Sequence, residues 1–126
     1  MGRIEVARAY DAPPPGGARR FLVDRLWPRG VGREGLALDG WLRDVAPSDD
    51  LRRWFGHDPQ RWAEFRRRYA AELESNPAAW APLLEAARAG DVVLLYGARD
   101  PERNNAVVLR DHLRGHLGGT PPDGAG

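Results

Sequence analysis

The chain has 126 residues, the usual size of one domain and enough to build one core without covalent staples. It has no cysteine, which excludes disulfides, thiolate zinc sites and a thiol nucleophile and fits a reducing cytoplasm. Its net charge of +1 excludes a polycation, and its 19 basic residues of the lysine and arginine type are all arginine. A GC-rich genome is the plainer source of that bias, against selection for nucleic-acid contact, and arginine's rigid fork suits carboxylate and phosphate locally.

The first ten residues, MGRIEVARAY, carry Arg3, Glu5 and Arg8 and do not read as a signal peptide. The longest apolar runs are too short to span a bilayer. In RIEVARAYD, Ile4, Val6 and Tyr10 fall on one face of a half-buried strand, and Arg8 interrupts that face. DAPPPGGAR is a loop, because three prolines remove hydrogen-bond donors and two glycines relax the backbone. The apolar run in RFLVDR predicts a short strand covered on both faces. Pro28 and Gly30, Gly32 and Gly35 then keep the chain out of regular structure.

Helices follow. Asp39 predicts the cap of a helix carrying Trp41, Leu42 and Val45 and stopped by Pro47. Ser48 or Asp49 caps a short helix, DDLRRWF, that ends at Gly56. Asp58-Pro59 starts a helix reaching about Glu74, with Trp62, Phe65, Tyr69 and Leu73 along one stripe. Asn76-Pro77 opens another, or Pro82 marks its first turn, and Gly90 ends it. DVVLLYG is the third strand. Asp100-Pro101 opens the last helix, which carries Val107, Leu109 and Leu113 and begins to end at Gly115. Residues 118–126 read as a disordered polar tail.

The pattern is that of a single α/β domain over residues 1–117, a small mainly parallel sheet flanked by several helices. The long helical link between the second and third strands is what a parallel pair requires. The short link between the first two allows either an antiparallel pair or an irregular crossover.

In open parallel sheets, ligands bind beyond the carboxyl ends of the strands. Asp24, Arg25, Trp27 and Arg29 follow the second strand, and Tyr96, Arg99, Asp100, Asn104 and Asn105 follow the third. Parallel strands bring both groups to one edge, with a helix N-terminus whose free amides favour an anion. A structural reading competes: Asp24 pairs with an arginine, Trp27-Pro28 plugs the core, and Asp100 is a helix cap.

Three stretches, VDRLWPRG, WFGHDPQRWAEFRRRYAAEL and VVLLYGARDPERNNAVVLRDHL, resemble the YeaO-like branch of the domain-of-unknown-function family 488. The resemblance covers residues 3 to 117 and implies a compact cytoplasmic bacterial or archaeal α/β protein with no established activity. It places Asp24, Arg25, Trp27, Pro28, Arg29 and Gly30 in a first motif and Trp54, Phe55, Gly56, His57 and Asp58 in a second. Tyr96, Arg99, Asp100, Asn104 and Asn105 form the third. Longer members of the wider family look as if they carry cysteine and histidine near the third motif. Here Tyr96 and Asn105 stand instead, which puts thiol chemistry in doubt for this branch.

Nucleophiles are scarce. The serine and threonine hydroxyls are Ser48, Ser75 and Thr120, placed as a cap, at a helix end and in the tail, which disfavours a serine triad. General acid–base work is the stronger catalytic reading: histidine as a residue type can give and take a proton near neutrality, which makes His57 a candidate, and Asp24 is a second acid or base. Against it, His57 closes a turn and bonds a carbonyl. His112 and His116 have the i, i+4 spacing of two metal ligands but no obvious third, so two solvated histidines are expected and no metal. GVGREG matches the dinucleotide pattern, but Pro28 separates it from the strand and the next helix starts near Asp39, so no cofactor is implied. Arg66, Arg67 and Arg68 form a solvated face that Glu64 and Glu72 partly neutralise, or a phosphate-backbone contact extended by Arg52, Arg53 and Arg61.

Two functions from different classes follow. One is a domain for a small anionic or phosphate-containing ligand, with Asp24 and His57 as acid–base groups if it is an enzyme and Arg25 and Arg99 as clamps. The other is a non-catalytic module that binds nucleic acid or a protein through its arginine-rich helix.

Overall fold

The computed structural model describes residues 2–12 and 16–118. The three consecutive prolines and the end of the predicted tail lie outside these residues. Four strands form one sheet: β1 (Ile4–Arg8), β2 (Arg19–Leu22), β3 (Gly40–Trp41) and β4 (Val92–Tyr96). Their order is β1-β4-β2-β3, and every neighbouring pair is parallel. The first two strands are therefore not partners: β4 lies between them and is parallel to both.

Period-two alternation divides each strand between two cores. Ile4, Phe21, Val92, Leu94 and Tyr96 face the larger one, which the helices cover. Leu22 and Leu95 face a smaller one closed by Leu36 and, at its margin, Trp27 and Trp41. Covering on both faces explains why the strands read as near-continuous apolar runs. The helices are a single turn, α1 (Arg33–Leu36), followed by α2 (Asp49–Phe55), α3 (Trp62–Glu74), α4 (Pro77–Ala89) and α5 (Asn105–Gly118).

Several local signals act as the sequence predicts. The Ser48 hydroxyl accepts from Leu51 N at 3.2 Å and caps α2, and Gly56 ends it in the left-handed region at φ 54°. Phe65, Tyr69 and Leu73 form the buried stripe of α3. Asp58 accepts from Gln60 N at 2.9 Å and opens a 3-10 turn, Pro59–Arg61, that leads into α3.

Other expectations are corrected. Asp39 caps no helix. Its Oδ2 accepts from Arg20 N at 2.8 Å and its own N–H donates to Arg20 O at 2.7 Å, which zips residues 39–41 onto β2 as β3. Only a 3-10 turn, Arg43–Val45, follows. Tyr10 has left β1 for a 3-10 turn and is exposed, its hydroxyl donating to Arg29 O at 2.9 Å. α4 starts at Pro77, with Pro82 inside it. A helix turn already begins at Arg33, inside the glycine pattern, but it is four residues long and has no side-chain cap. The last helix starts at Asn105, not after Asp100, and runs past Gly115.

Candidate functional site

Because β2 and β4 are parallel neighbours, their carboxyl ends lie side by side. Val23 N donates to Leu95 O at 3.1 Å and extends the pairing by one residue. The next side chain, Asp24, bridges the two ends: its Oδ2 accepts from Gly97 N at 2.8 Å. The approach is close, since a Cβ at residue 97 would sit 3.1 Å from that oxygen, so only glycine fits here without displacing the carboxylate. On the other side, the Asn105 amide donates to Asp24 Oδ1 at 3.0 Å and to Val23 O at 3.1 Å. Asn105 is the first residue of α5. Asp24 thus ties together β2, β4 and α5. Burial pushes its carboxyl above the ordinary value, opposed by the hydrogen bonds from Asn105 and Gly97 and by the charge of His57.

A cavity of about 380 Å³ opens beside this knot. Asp24, Arg25, His57 and Asn105 line it, so residues from the end of β2, the α2–α3 corner and the start of α5 meet there. The corner is made by two successive left-handed residues, Gly56 and His57, the latter at φ 59°. A non-glycine residue in that region is uncommon and costs stability. The His57 ring lies 6.2 Å from that of Phe55 and is exposed. It makes no hydrogen bond to any described residue, which corrects its expected role of bonding a carbonyl to close the turn.

Arg25 runs along the wall, with Nη2 reaching the carbonyls of Ala46 and Pro47 at 3.5 Å each. Its buried Nε has no hydrogen-bond acceptor, and Asp49 Oδ1 stands 3.8 Å away. The cavity's remaining cations are Arg52 and Arg53 of α2, which the sequence pattern had suggested only as extensions of a different, arginine-rich surface. Arg52 pairs with Asp49 at 3.3 Å, whereas Arg53 has no partner among the described residues. The apolar wall comes from Leu26, Phe55 and Phe65, and the two phenyl rings stack at 4.3 Å. Gly56 signals the end of α2, but no sequence signal indicates which of its residues line the cavity.

The other predicted site residues do not line the cavity. Trp27 packs edge-on to Trp41 at 5.3 Å over the smaller core, and its indole donates to Val31 O at 2.7 Å. Arg29 and Arg99 are exposed, and Arg99 has no hydrogen bond or ion pair among the described residues. Tyr96 is buried in the larger core, and that burial raises its hydroxyl pKa above the ordinary value. Asp100 caps a turn, accepting from Glu102 N at 2.9 Å and Arg103 N at 3.1 Å, bonds that hold its carboxyl below the ordinary value. The cap of α5 is Asn104, whose Oδ1 accepts from Val107 N at 3.0 Å.

On the arginine-rich helix, Arg67 and Arg68 both pair with Glu64, while Glu72 instead accepts from Ser48 N and Oγ, at 2.9 and 2.6 Å. Arg61 and Arg68 lie over the Trp54 ring, at 5.1 and 4.5 Å. Arg66 has no partner among the described residues. Of the two histidines expected to be solvated, His116 is exposed and His112 is half-buried. Both pack on Trp80 with centroids 4.6 Å away, and burial lowers the pKa of His112. Among the described residues, no three metal-ligating side chains come together, and no helix is long and apolar enough to cross a membrane.

The family model described as "Inactive DUF488-N3 subclade" matches residues 3–123. The chain belongs to this DUF488 subclade. It is 40% identical over 111 residues to a protein of Escherichia coli named Uncharacterized protein YeaO, covering 88% of this chain and 96% of that one. Two mycobacterial proteins, Mb3100c of Mycobacterium bovis and Rv3073c of Mycobacterium tuberculosis, are each 39% identical over 113 residues. Those alignments cover 90% of this chain and 95% of the relatives. No solved structure matches the chain.

Proposed function

We propose that this DUF488 chain is a binding domain for a small anionic ligand, taken up beyond the carboxyl ends of β2 and β4 and not chemically transformed. The observation that carries this reading is the pair Arg53 and His57. Both line the cavity, and neither makes a hydrogen bond or ion pair among the described residues. Arg25 adds a third cation on the wall, with its Nη2 3.5 Å from the Ala46 and Pro47 carbonyls and its Nε 3.8 Å from Asp49. The one carboxylate on the wall, Asp24, has both oxygens engaged by protein donors, and burial raises its pKa, which favours the neutral form beside an anion.

Binding without turnover is supported by the cavity's chemistry. Its wall contains no hydroxyl, thiol or amine among the described residues, so no side chain there can act as a covalent nucleophile of those types. The description of the subclade as inactive points the same way. A general acid–base reaction through Asp24 and His57 is the second reading, favoured by the raised carboxyl pKa of Asp24. The nucleic-acid reading has less support, because two of the three consecutive arginines on α3 are already paired with Glu64.

The test is thermal denaturation of wild type and Arg53→Ala across small inorganic and organic anions. A ligand at a hundredfold its dissociation constant stabilises the fold by about 2.7 kcal/mol. A rise in Tm with at least one anion, reduced in Arg53→Ala, is expected. No shift with any anion would overturn the reading.

A further inference from the structure

The cavity is larger and more apolar than an oxyanion needs. Its volume of about 380 Å³ lies in the range of roughly 300–1,000 Å³ that accommodates small organic molecules. A lone phosphate or sulfate would leave most of that space unfilled. Phe55 and Phe65 form a stacked wall, centroids 4.3 Å apart and planes 20° apart, and Leu26 lines the same cavity while 63% exposed. The cavity is lined by an exposed leucine, two phenyl rings that are 7% and 2% exposed, and two arginines of α2, a surface with two chemical demands. It takes an apolar body against the rings and a negative group near the guanidinium groups.

We infer that the occupant is a small aromatic anion, with its ring against Phe55, Phe65 and Leu26 and its charged group held by Arg53 and Arg25. This rests on the anion-binding reading of the same cavity and adds the ligand's body to it. An aromatic ring meets other rings favourably, offset-stacked or edge-to-face, which an aliphatic chain of equal area does not reproduce. Arginine serves both parts, because its planar guanidinium bonds an anion in its plane and stacks on a ring through its face. The remaining donor fits as well: the exposed His57 imidazole stands 6.2 Å from the Phe55 ring.

The experiment is isothermal titration calorimetry of the intact chain with three probes: phenyl phosphate, inorganic phosphate and phenol. Phenyl phosphate is expected to bind at least about tenfold more tightly than either fragment, and Arg53→Ala to remove most of that advantage over phenol. Equal affinities for phenyl phosphate and inorganic phosphate would leave the anion site standing and overturn the aromatic one. Equal affinities for phenyl phosphate and phenol would overturn the assignment of the charged group. No binding of any probe would overturn this inference together with the reading beneath it. Arg53 is exposed, so the variant keeps its fold, and a matched Tm in the absence of ligand verifies this.

Discussion

The Asp24 carboxylate accepts a hydrogen bond from the Asn105 side chain at 3.0 Å, although the two residues are 81 positions apart. One residue lies two positions past the end of β2 and the other begins α5, so this contact and the 2.8 Å bond from Gly97 N fix the floor of the cavity. Asp24→Ala leaves the Gly97 N–H without its acceptor and deprives the Asn105 amide of one. A loss of about 1–3 kcal/mol is expected in urea denaturation. Stability equal to wild type would mean that the bridge is not a structural element.

Asp24 and Asp100 should titrate in opposite directions. Burial raises Asp24 above 3.8, whereas backbone donors hold Asp100 below the same value. A raised carboxyl binds more protons in the native state. The contribution of Asp24 to stability is therefore largest below its unfolded pKa and is lost as pH rises through its folded one. For Asp100 the contribution is present above the unfolded pKa and is lost as pH falls through the folded one. Carboxyl NMR against pH checks both directions, and a midpoint for Asp24 at or below 3.8 would contradict the burial. The stability advantage of wild type over Asp24→Asn should narrow as pH rises through the Asp24 titration.

His57 holds a left-handed backbone that suits glycine better than histidine. His57→Gly is expected to keep or slightly raise Tm while weakening ligand binding. His57→Val is expected to lose about 1–2 kcal/mol, because a β-branched residue is a severe outlier there. A large loss in His57→Gly would show that the imidazole carries structural weight.

Ser48 joins two elements, capping α2 and donating its hydroxyl to Glu72 of α3 at 2.6 Å. Ser48→Ala should cost about 1 kcal/mol from the lost cap. A double-mutant cycle with Glu72→Gln should show coupling between the two positions, since they share a hydrogen bond. Strict additivity would contradict the contact.

The sequence is most legible where a signal acts on its own neighbourhood. Ser48, Gly56 and Asn76-Pro77 set helix ends as read, because a cap or a proline works within three or four residues, whereas Asp58-Pro59 opens a 3-10 turn ahead of α3. Asp39 misleads for the same reason: an acceptor before an apolar stretch looks identical whether it bonds its own helix or the N–H of Arg20 on a neighbouring strand. Asp100 caps a turn and leaves the helix to Asn104, a shift of four residues that local pattern alone does not resolve. At the site, the strand-end rule placed Asp24, Arg25 and Asn105 together, since it depends only on parallel pairing. It also gathered Arg99 and Trp27, which lie near the same ends in sequence but line no part of the cavity. Arg52, Arg53, Phe55 and Phe65 joined the site through the fold-back at Gly56, a tertiary consequence that no spacing encodes.

The most direct test of the anion-binding cavity is amide NMR of the intact chain titrated with phenyl phosphate. The account predicts saturable shifts of the Gly56, His57, Gly97 and Ala98 amides, lost in Arg53→Ala. Unmoved amides at those four positions, or shifts confined to the exposed face of α3 around Arg66, would contradict it.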